Sequence, residues 1–363
     1  MSLRPDIIEM LARARADMRM GVPVVFVEGN EATLVFAAET LSATRLAQIQ
    51  ALGGAPVLAI TARRAETLKA RAYDNDIARV MLPPDVTLPW IQAIADPADD
   101  LKVPMKGPIN TQRSGDANMH RAALALIKSA RLLPAAVVLN IKDGPSFATN
   151  NDLTKIEVRT AQKALTASSP LDSVVSARLP LEVSESGRLH VFRPDDGGEE
   201  HYAVEIGQPD RMQPILTRLH SACFTGDLLG SLKCDCGPQL RASLAQMGNE
   251  GAGILIYLNQ EGRGIGLANK MRAYSLQDQG FDTVEANHRL GFEDDERDFL
   301  IGANILNKMG FNKIRLLTNN SKKVEMMQAA GVDVVERVPL KVGHNTHNAD
   351  YLKTKATKSG HIL

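Results

Sequence analysis

The chain has 363 residues, 44% of them apolar and 23% charged, and its 42 basic and 42 acidic side chains cancel. That balance excludes a general nucleic-acid or membrane-surface binder, since either needs a sustained basic field. The apolar share excludes a disordered chain, and the length predicts about two domains at roughly 150 residues each.

The first residues predict an amphipathic helix with Ile7, Ile8, Leu11 and Ala12 on one side. Asp6, Glu9 and Asp17 interrupt any signal-peptide core, so a cytoplasmic chain is expected. A strand over 23–27 runs into the turn signal Glu28-Gly29-Asn30, and a second strand covers 33–38. A helix over 41–52 stops at Gly53-Gly54, followed by a buried strand over 55–61. A helix over 119–132 leads to a strand over 135–141. The longest apolar run, 132–141, contains Pro134 and Asn140 and is too short to span a bilayer, so no membrane partner is expected.

Residues 166–173 break the helical pattern before them and mark a linker between domains at 1–165 and 174–363. Beyond it, hairpin strands are expected at 179–183 and 189–192, with further strands at 201–206 and 215–219. Then the pattern alternates: helix 239–247, strand 254–258, helices 269–279 and 295–309, strand 313–317, helix 321–330 and strand 332–335. Gly310 and Gly331 act as helix stops. The fold class expected is α/β mixed with α+β. The C-terminal domain should carry a mixed, mostly parallel sheet flanked by helices.

Three cysteines, Cys223, Cys234 and Cys236, are the chain's only ones. An odd number suits a reducing compartment and no disulfide framework. Their C-x10-C-x-C spacing suits zinc, because thiolates are soft ligands and Gly237-Pro238 supplies a turn. With no fourth cysteine, three protein ligands and an open position describe a catalytic zinc, which brings the pKa of bound water towards about 7. Three inert buried cysteines are the competing reading.

Gln260-Glu261-Gly262-Arg263-Gly264-Ile265-Gly266 follows a strand and precedes a helix, an arrangement that lets backbone approach an anion. Leu267 stands where the dinucleotide fingerprint has its third glycine, and no G-x-x-x-x-G-K-[ST] string occurs. The run Asp294-Asp295-Glu296-Arg297-Asp298 reads either as a helix first turn complementing the dipole or as chemistry. Thr318 to Lys323 passes from a strand end into a capped helix, and such ends line ligand sites in open α/β sheets. Arg218 before the first cysteine could clamp a phosphate or be a surface charge.

Together these strings resemble GTP cyclohydrolase II: residues 218–226 (RLHSACFTG), 231–239 (SLKCDCGPQ), 260–267 (QEGRGIGL), 270–288, 290–299 (LGFEDDERDF), 315–320 (RLLTNN) and the tail 351–363. The resemblance covers about 174–363. It implies zinc, one per chain, on Cys223, Cys234 and Cys236, with Mg2+ accompanying the triphosphate. It implies GTP contacts from Arg218, Leu219, His220, Ser221, Gln239, Glu261, Gly262, Arg263, Thr283, Thr318 and Lys323. Asp295 would accept a proton, Tyr274 would assist ring opening beside the guanine, and Arg297 would attack the α-phosphorus. Chemistry alone favours Arg297 as a charge clamp, because arginine is protonated at any working pH. The implied reaction converts GTP and water to formate, diphosphate and a diamino-ribosylamino-pyrimidinone phosphate, the first step of riboflavin synthesis, and a homodimer is expected. One departure is Ala222, where the family usually has glutamate before the first cysteine.

Residues 1–165 resemble 3,4-dihydroxy-2-butanone 4-phosphate synthase at 21–25 and 133–141, but the acidic D-D-E-x-R-E-N-E-G-D type string is missing. The stretch here reads VEGNEATLVFAAE, with only Glu28, Glu31 and Glu39 as carboxylates. A folded, catalytically silent domain is expected, because that chemistry needs magnesium on hard oxygen ligands. Two other functions compete with the cyclohydrolase: a GTP-binding regulatory or scaffold protein without turnover, and a divergent paralogue acting on another purine nucleotide.

Overall fold

The computed structural model describes residues 3–346 and 348. The tail motif at 351–363 lies outside them. The chain forms two compact units, Met1–Ala167 with Ala268–Glu296, and Ser168–Leu267 with Arg297–Leu363.

The first unit starts with α1 (Ile7–Met20), which buries Leu11, Ala14 and Met18. A reciprocal cap fixes its start: Asp6 accepts from the Glu9 N–H, and Glu9 from the Asp6 N–H. Gly21, at φ 74°, ends it. β1 (Val24–Glu28) and β2 (Glu31–Ala37) form a hairpin about Gly29-Asn30. α2 (Ala43–Leu52), β3 (Val57–Thr61), α3 (Ala62–Thr67), β4 (Ile77–Met81) and α4 (Leu88–Ala95) follow. Next are α5 (Asn118–Ser129), β5 (Ala135–Ile141), α6 (Gly144–Asn150), β6 (Lys155–Glu157) and α7 (Val158–Thr166). The sheet order is β4-β3-β5-β2-β1-β6, antiparallel except for β1 with β6. Both faces are covered. Phe26, Val35 and Val138 enter one core, and their neighbours Val25, Leu34 and Val137 enter the other. Hence these strands read as continuous apolar runs rather than alternating ones.

In the second unit β7 (Leu171–Arg178) pairs with β8 (Arg188–Pro194), followed by β9 (His201–Ile206) and β10 (Ile215–Ser221). α8 (Cys236–Glu250) and β11 (Gly253–Leu258) come next. The chain then passes through α9 (Leu267–Asp278) and α10 (Thr283–Leu290), nearly all of which belongs to the first unit. α11 (Leu300–Lys308), β12 (Lys313–Leu317), α12 (Ser321–Ala329) and β13 (Asp333–Val338) complete the second. The order is β13-β12-β10-β11-β9-β8-β7. Pairing is parallel from β13 to β11 and antiparallel from β11 to β7. The mixed α/β class holds, but the parallel part is only one half of this sheet.

Two expected elements move. Residues 179–183 form no strand; the chain turns there, with the Leu179 N–H donating to Gly187 O at 2.8 Å. An added Cβ at Gly187 would stand 2.3 Å from the Leu179 carbonyl oxygen, so the close approach requires glycine. The helix expected from 295 begins instead at Leu300, whose N–H is taken by the Asp298 carboxylate at 2.8 Å. The acidic run therefore lies before the helix, and a dipole role in its first turn is lost.

Candidate active site

Three parallel strands, β10, β11 and β12, send their carboxyl ends to one edge of the second unit's sheet. Open α/β sheets gather ligands at such an edge. Cys223 follows β10 and opens a single π-helical turn, Phe224–Leu228, while Cys234 and Cys236 lie at the start of α8. The three sulfurs fall within 4.8 Å of one another, and Cys223 Sγ is 3.7 Å from Cys234 Sγ. Gly226 donates its N–H to Cys223 Sγ at 3.3 Å. A Cβ on Gly226 would sit 2.7 Å from Cys234 Sγ and 3.0 Å from Cys223 Sγ, so glycine lets the turn close around the sulfurs.

These residues fit a soft divalent cation. The hydrogen-bonded neighbouring thiols and burial push Cys236 well above the usual thiol range, and the hydrogen bond with Cys223 raises Cys234. Three thiolates so close cannot all carry charge without a cation among them.

A carboxylate braces this loop. Asp227 accepts from His220 Nε2 at 3.0 Å, from the Tyr257 hydroxyl at 2.9 Å and from the Cys223 N–H at 3.1 Å. His220 and Tyr257 are opposite each other in the β10–β11 register and stack at 5.5 Å. Burial lowers the His220 pKa against the pull of Asp227, and burial raises that of Tyr257. The His220 side chain is thereby committed to the loop. We expect Asp227→Ala to cost about 3 kcal/mol by leaving three donors, on buried His220 and Cys223 and half-buried Tyr257, without an acceptor. At 2–4 °C per kcal/mol that is roughly 6–12 °C in thermal unfolding. A midpoint within a degree of the parent's would contradict the bracing role.

Arg218 is buried beside the cysteine loop. Its Nη1 donates to Leu317 O at 3.0 Å, its Nη2 bonds the Gln239 side-chain oxygen, and its Nε has no partner. Burial lowers its pKa, with Asp235 as the first offsetting charge. Gln239 is held in turn by Asp235 at 2.6 Å. Leu219 packs its side chain into the core and offers only backbone, its carbonyl accepting from Lys323 Nζ at 3.3 Å. Ser221 Oγ accepts from Arg297 Nη1 at 3.2 Å. The Lys323 ammonium lies 4.8 Å and the Arg297 guanidinium 4.7 Å from the Phe299 ring centroid. Thr318 is buried at the end of β12.

The Glu261 carboxylate receives the Phe224 N–H at 2.6 Å and the Gly262 N–H at 3.1 Å, tying the glycine loop to the cysteine loop. Gly262 and Arg263 are left-handed, at φ 64° and 61°, and Arg263 holds a conformation that non-glycine residues adopt at a cost of about 1–2 kcal/mol.

The second unit thus brings together Arg218, Leu219, His220, Ser221, the three cysteines, Gln239, Glu261, Gly262, Arg263, Arg297, Thr318 and Lys323. Tyr274, Thr283 and Asp295 belong to the first unit. There Lys270 Nζ lies 5.7 Å from the Tyr274 ring centroid, and Thr283 Oγ1 accepts from Gln277 at 3.1 Å. Sequence reading missed Asp227, Asp235 and Tyr257. Their only signal is proximity to the cysteines, along the chain for the aspartates and across the β10–β11 register for Tyr257.

A family model described as GTP cyclohydrolase II matches residues 172–339. A GTP cyclohydrolase-2 of Azospirillum brasilense is 42% identical over 360 residues, covering 97% of this chain and 93% of that protein. The chain belongs to the GTP cyclohydrolase II family. It is an enzyme, a hydrolase of that family. A GTP cyclohydrolase-2 of Proteus mirabilis is 53% identical over 193 residues, covering 53% of this chain but 96% of its own length. A solved two-domain 3,4-dihydroxy-2-butanone 4-phosphate synthase from A. baumannii overlaps at a TM-score of 0.32 with 19% identity. It covers 90% of this chain and 99% of that one, and so weak a likeness carries no argument. Among the described residues, no helix is long and apolar enough to cross a membrane.

Proposed function

We propose that the chain is a zinc-dependent GTP cyclohydrolase II that converts GTP and water to formate, diphosphate and the diamino-ribosylamino-pyrimidinone phosphate, opening riboflavin synthesis. The observation that carries the reading is the three-sulfur cluster beside a buried arginine at the carboxyl ends of the parallel strands. Family membership supports the nucleotide, and the donor set supports the metal.

Cys223, Cys234 and Cys236 would hold one zinc per chain, which when bound supplies an acidified water near neutral pH. Arg218 donates from Nε, the position it leaves unbonded, towards an oxyanion. Lys323 and Arg297 add positive charge at the same edge, suited to a triphosphate carrying Mg2+. Arg297 acts as a charge clamp, since its guanidinium donates to Ser221 and stacks on Phe299. By the family resemblance Asp295 accepts a proton, Tyr274 assists ring opening and Thr283 binds GTP. Residues 1–165 are read as a silent synthase-like domain, the assembly as a homodimer and the location as cytoplasmic.

Incubation with GTP and Mg2+ tests the reading: formate and the pyrimidine product appear together. Binding of GTP with no formate would favour a regulatory protein instead. Tyr274→Phe should bind GTP normally and lose turnover, because only one hydroxyl is removed. An unchanged turnover number would remove Tyr274 from the mechanism.

A further inference from the structure

Among the described residues, 268–296 are the stretch of the cyclohydrolase half that folds with residues 1–167. Several of the contacts are specific hydrogen bonds and ion pairs. On α9, Arg272 reaches two carboxylates of the N-terminal half, Glu39 at 3.0 Å and Asp96 at 3.0 Å, and steadies itself on Asn269 at 2.8 Å. Asn269 is fully buried and donates to Arg131 O at 3.0 Å. The Glu39 carboxylate is itself fixed by the Leu133 N–H at 2.7 Å. At the end of α10 the backbones nearly touch. Thr61 Oγ1 donates to Gly291 O at 2.8 Å, and a Cβ on Gly291 would stand 2.8 Å from that hydroxyl and 2.9 Å from Pro134 Cγ. Beyond α10, Lys128 on α5 pairs with Glu296 at 2.6 Å and lies 5.7 Å from the Phe292 ring centroid. Arg63 forks onto Glu293.

The held segment carries Tyr274, Thr283 and Asp295. Arg272 is two positions from Tyr274, and Glu296 follows Asp295. We propose that the N-terminal half serves the cyclohydrolase reaction as a positioning scaffold, with Glu39, Asp96 and Lys128 as positioning residues that fix the segment bearing these three groups. The inference rests on the reading that Tyr274, Thr283 and Asp295 act in the reaction. It gives a domain without synthase chemistry a role beyond its own folding. Displacing a reactive group by about 1 Å can cost on the order of a hundredfold in rate, so a loosened segment shows first in turnover.

The test uses the full-length, zinc-loaded chain, with kcat normalised to zinc content. Lys128→Met should lower kcat about tenfold and leave the KM for GTP and the zinc content at parental values, while Lys128→Arg restores most of the loss. Glu296→Gln should lower kcat as much, and the double variant Lys128→Met/Glu296→Gln no further, because the two act through one contact. Glu39→Gln keeps an acceptor for the Leu133 N–H and should lower kcat in the same way through Arg272. Parental kcat in both Lys128→Met and Glu39→Gln, alongside a turnover defect in Tyr274→Phe, would overturn the scaffold role alone. Parental turnover in Tyr274→Phe would overturn the reading of that site, and the scaffold role with it.

Discussion

Cys234→Ser should drop metal content from about one zinc per chain to near zero and cut formate release by a thousandfold or more. A hydroxyl is a far poorer zinc ligand than a thiolate, and a catalytic zinc contributes several kcal/mol to the transition state, each 1.36 kcal/mol being about tenfold. The structure sharpens the expectation. Cys234 Sγ lies 3.7 Å from Cys223 Sγ inside a turn packed so closely on Gly226 that a methyl group there would clash with both sulfurs. A nearby side chain has little room to replace the lost ligand. Formate release at the parental rate from metal-free Cys234→Ser protein would end the catalytic-zinc reading.

Arg218→Met should raise the KM for GTP and lower kcat/KM by on the order of a hundredfold to a thousandfold, the loss of one well-placed charged donor at a reacting group. Methionine has a similar reach and carries no charge into the buried position, so the fold should survive. The Leu317 carbonyl and the Gln239 amide each lose a partner, which predicts a stability loss of about 1–3 kcal/mol beside the kinetic one. Kinetics separate the roles: an arginine that only braces β10 on β12 would lower Tm and leave KM alone. An unchanged KM would refute the phosphate-clamp role.

Much of this was legible because it depends on spacing. The cysteine cluster follows from three residues within fourteen positions, and the helix stops at Gly53, Gly310 and Gly331 follow from residues that adopt positive φ. β7 was missed because residues 172–178 are all exposed, so no alternation marks the strand. α3 was missed because its buried side is a charge. Arg64 is 1% exposed and finds Asp100 and the Ile94 and Ala93 carbonyls, partners that sequence cannot announce. Asp227 and Tyr257 meet only through the parallel register of β10 with β11, a long-range fact with no local trace. The excursion of 268–296 is of the same kind. Its apolar pattern predicts α9 well, while the choice of partner lies in Arg272, Asn269 and Gly291, each unremarkable alone.

A catalytic zinc on Cys223, Cys234 and Cys236 would show in X-ray absorption at the zinc edge of the purified full-length enzyme. The expected spectrum is that of about one zinc per chain with three sulfurs at about 2.3 Å and one light-atom neighbour at about 2.0 Å. A closed shell of four sulfurs, or a fully active protein with no zinc bound, would contradict it.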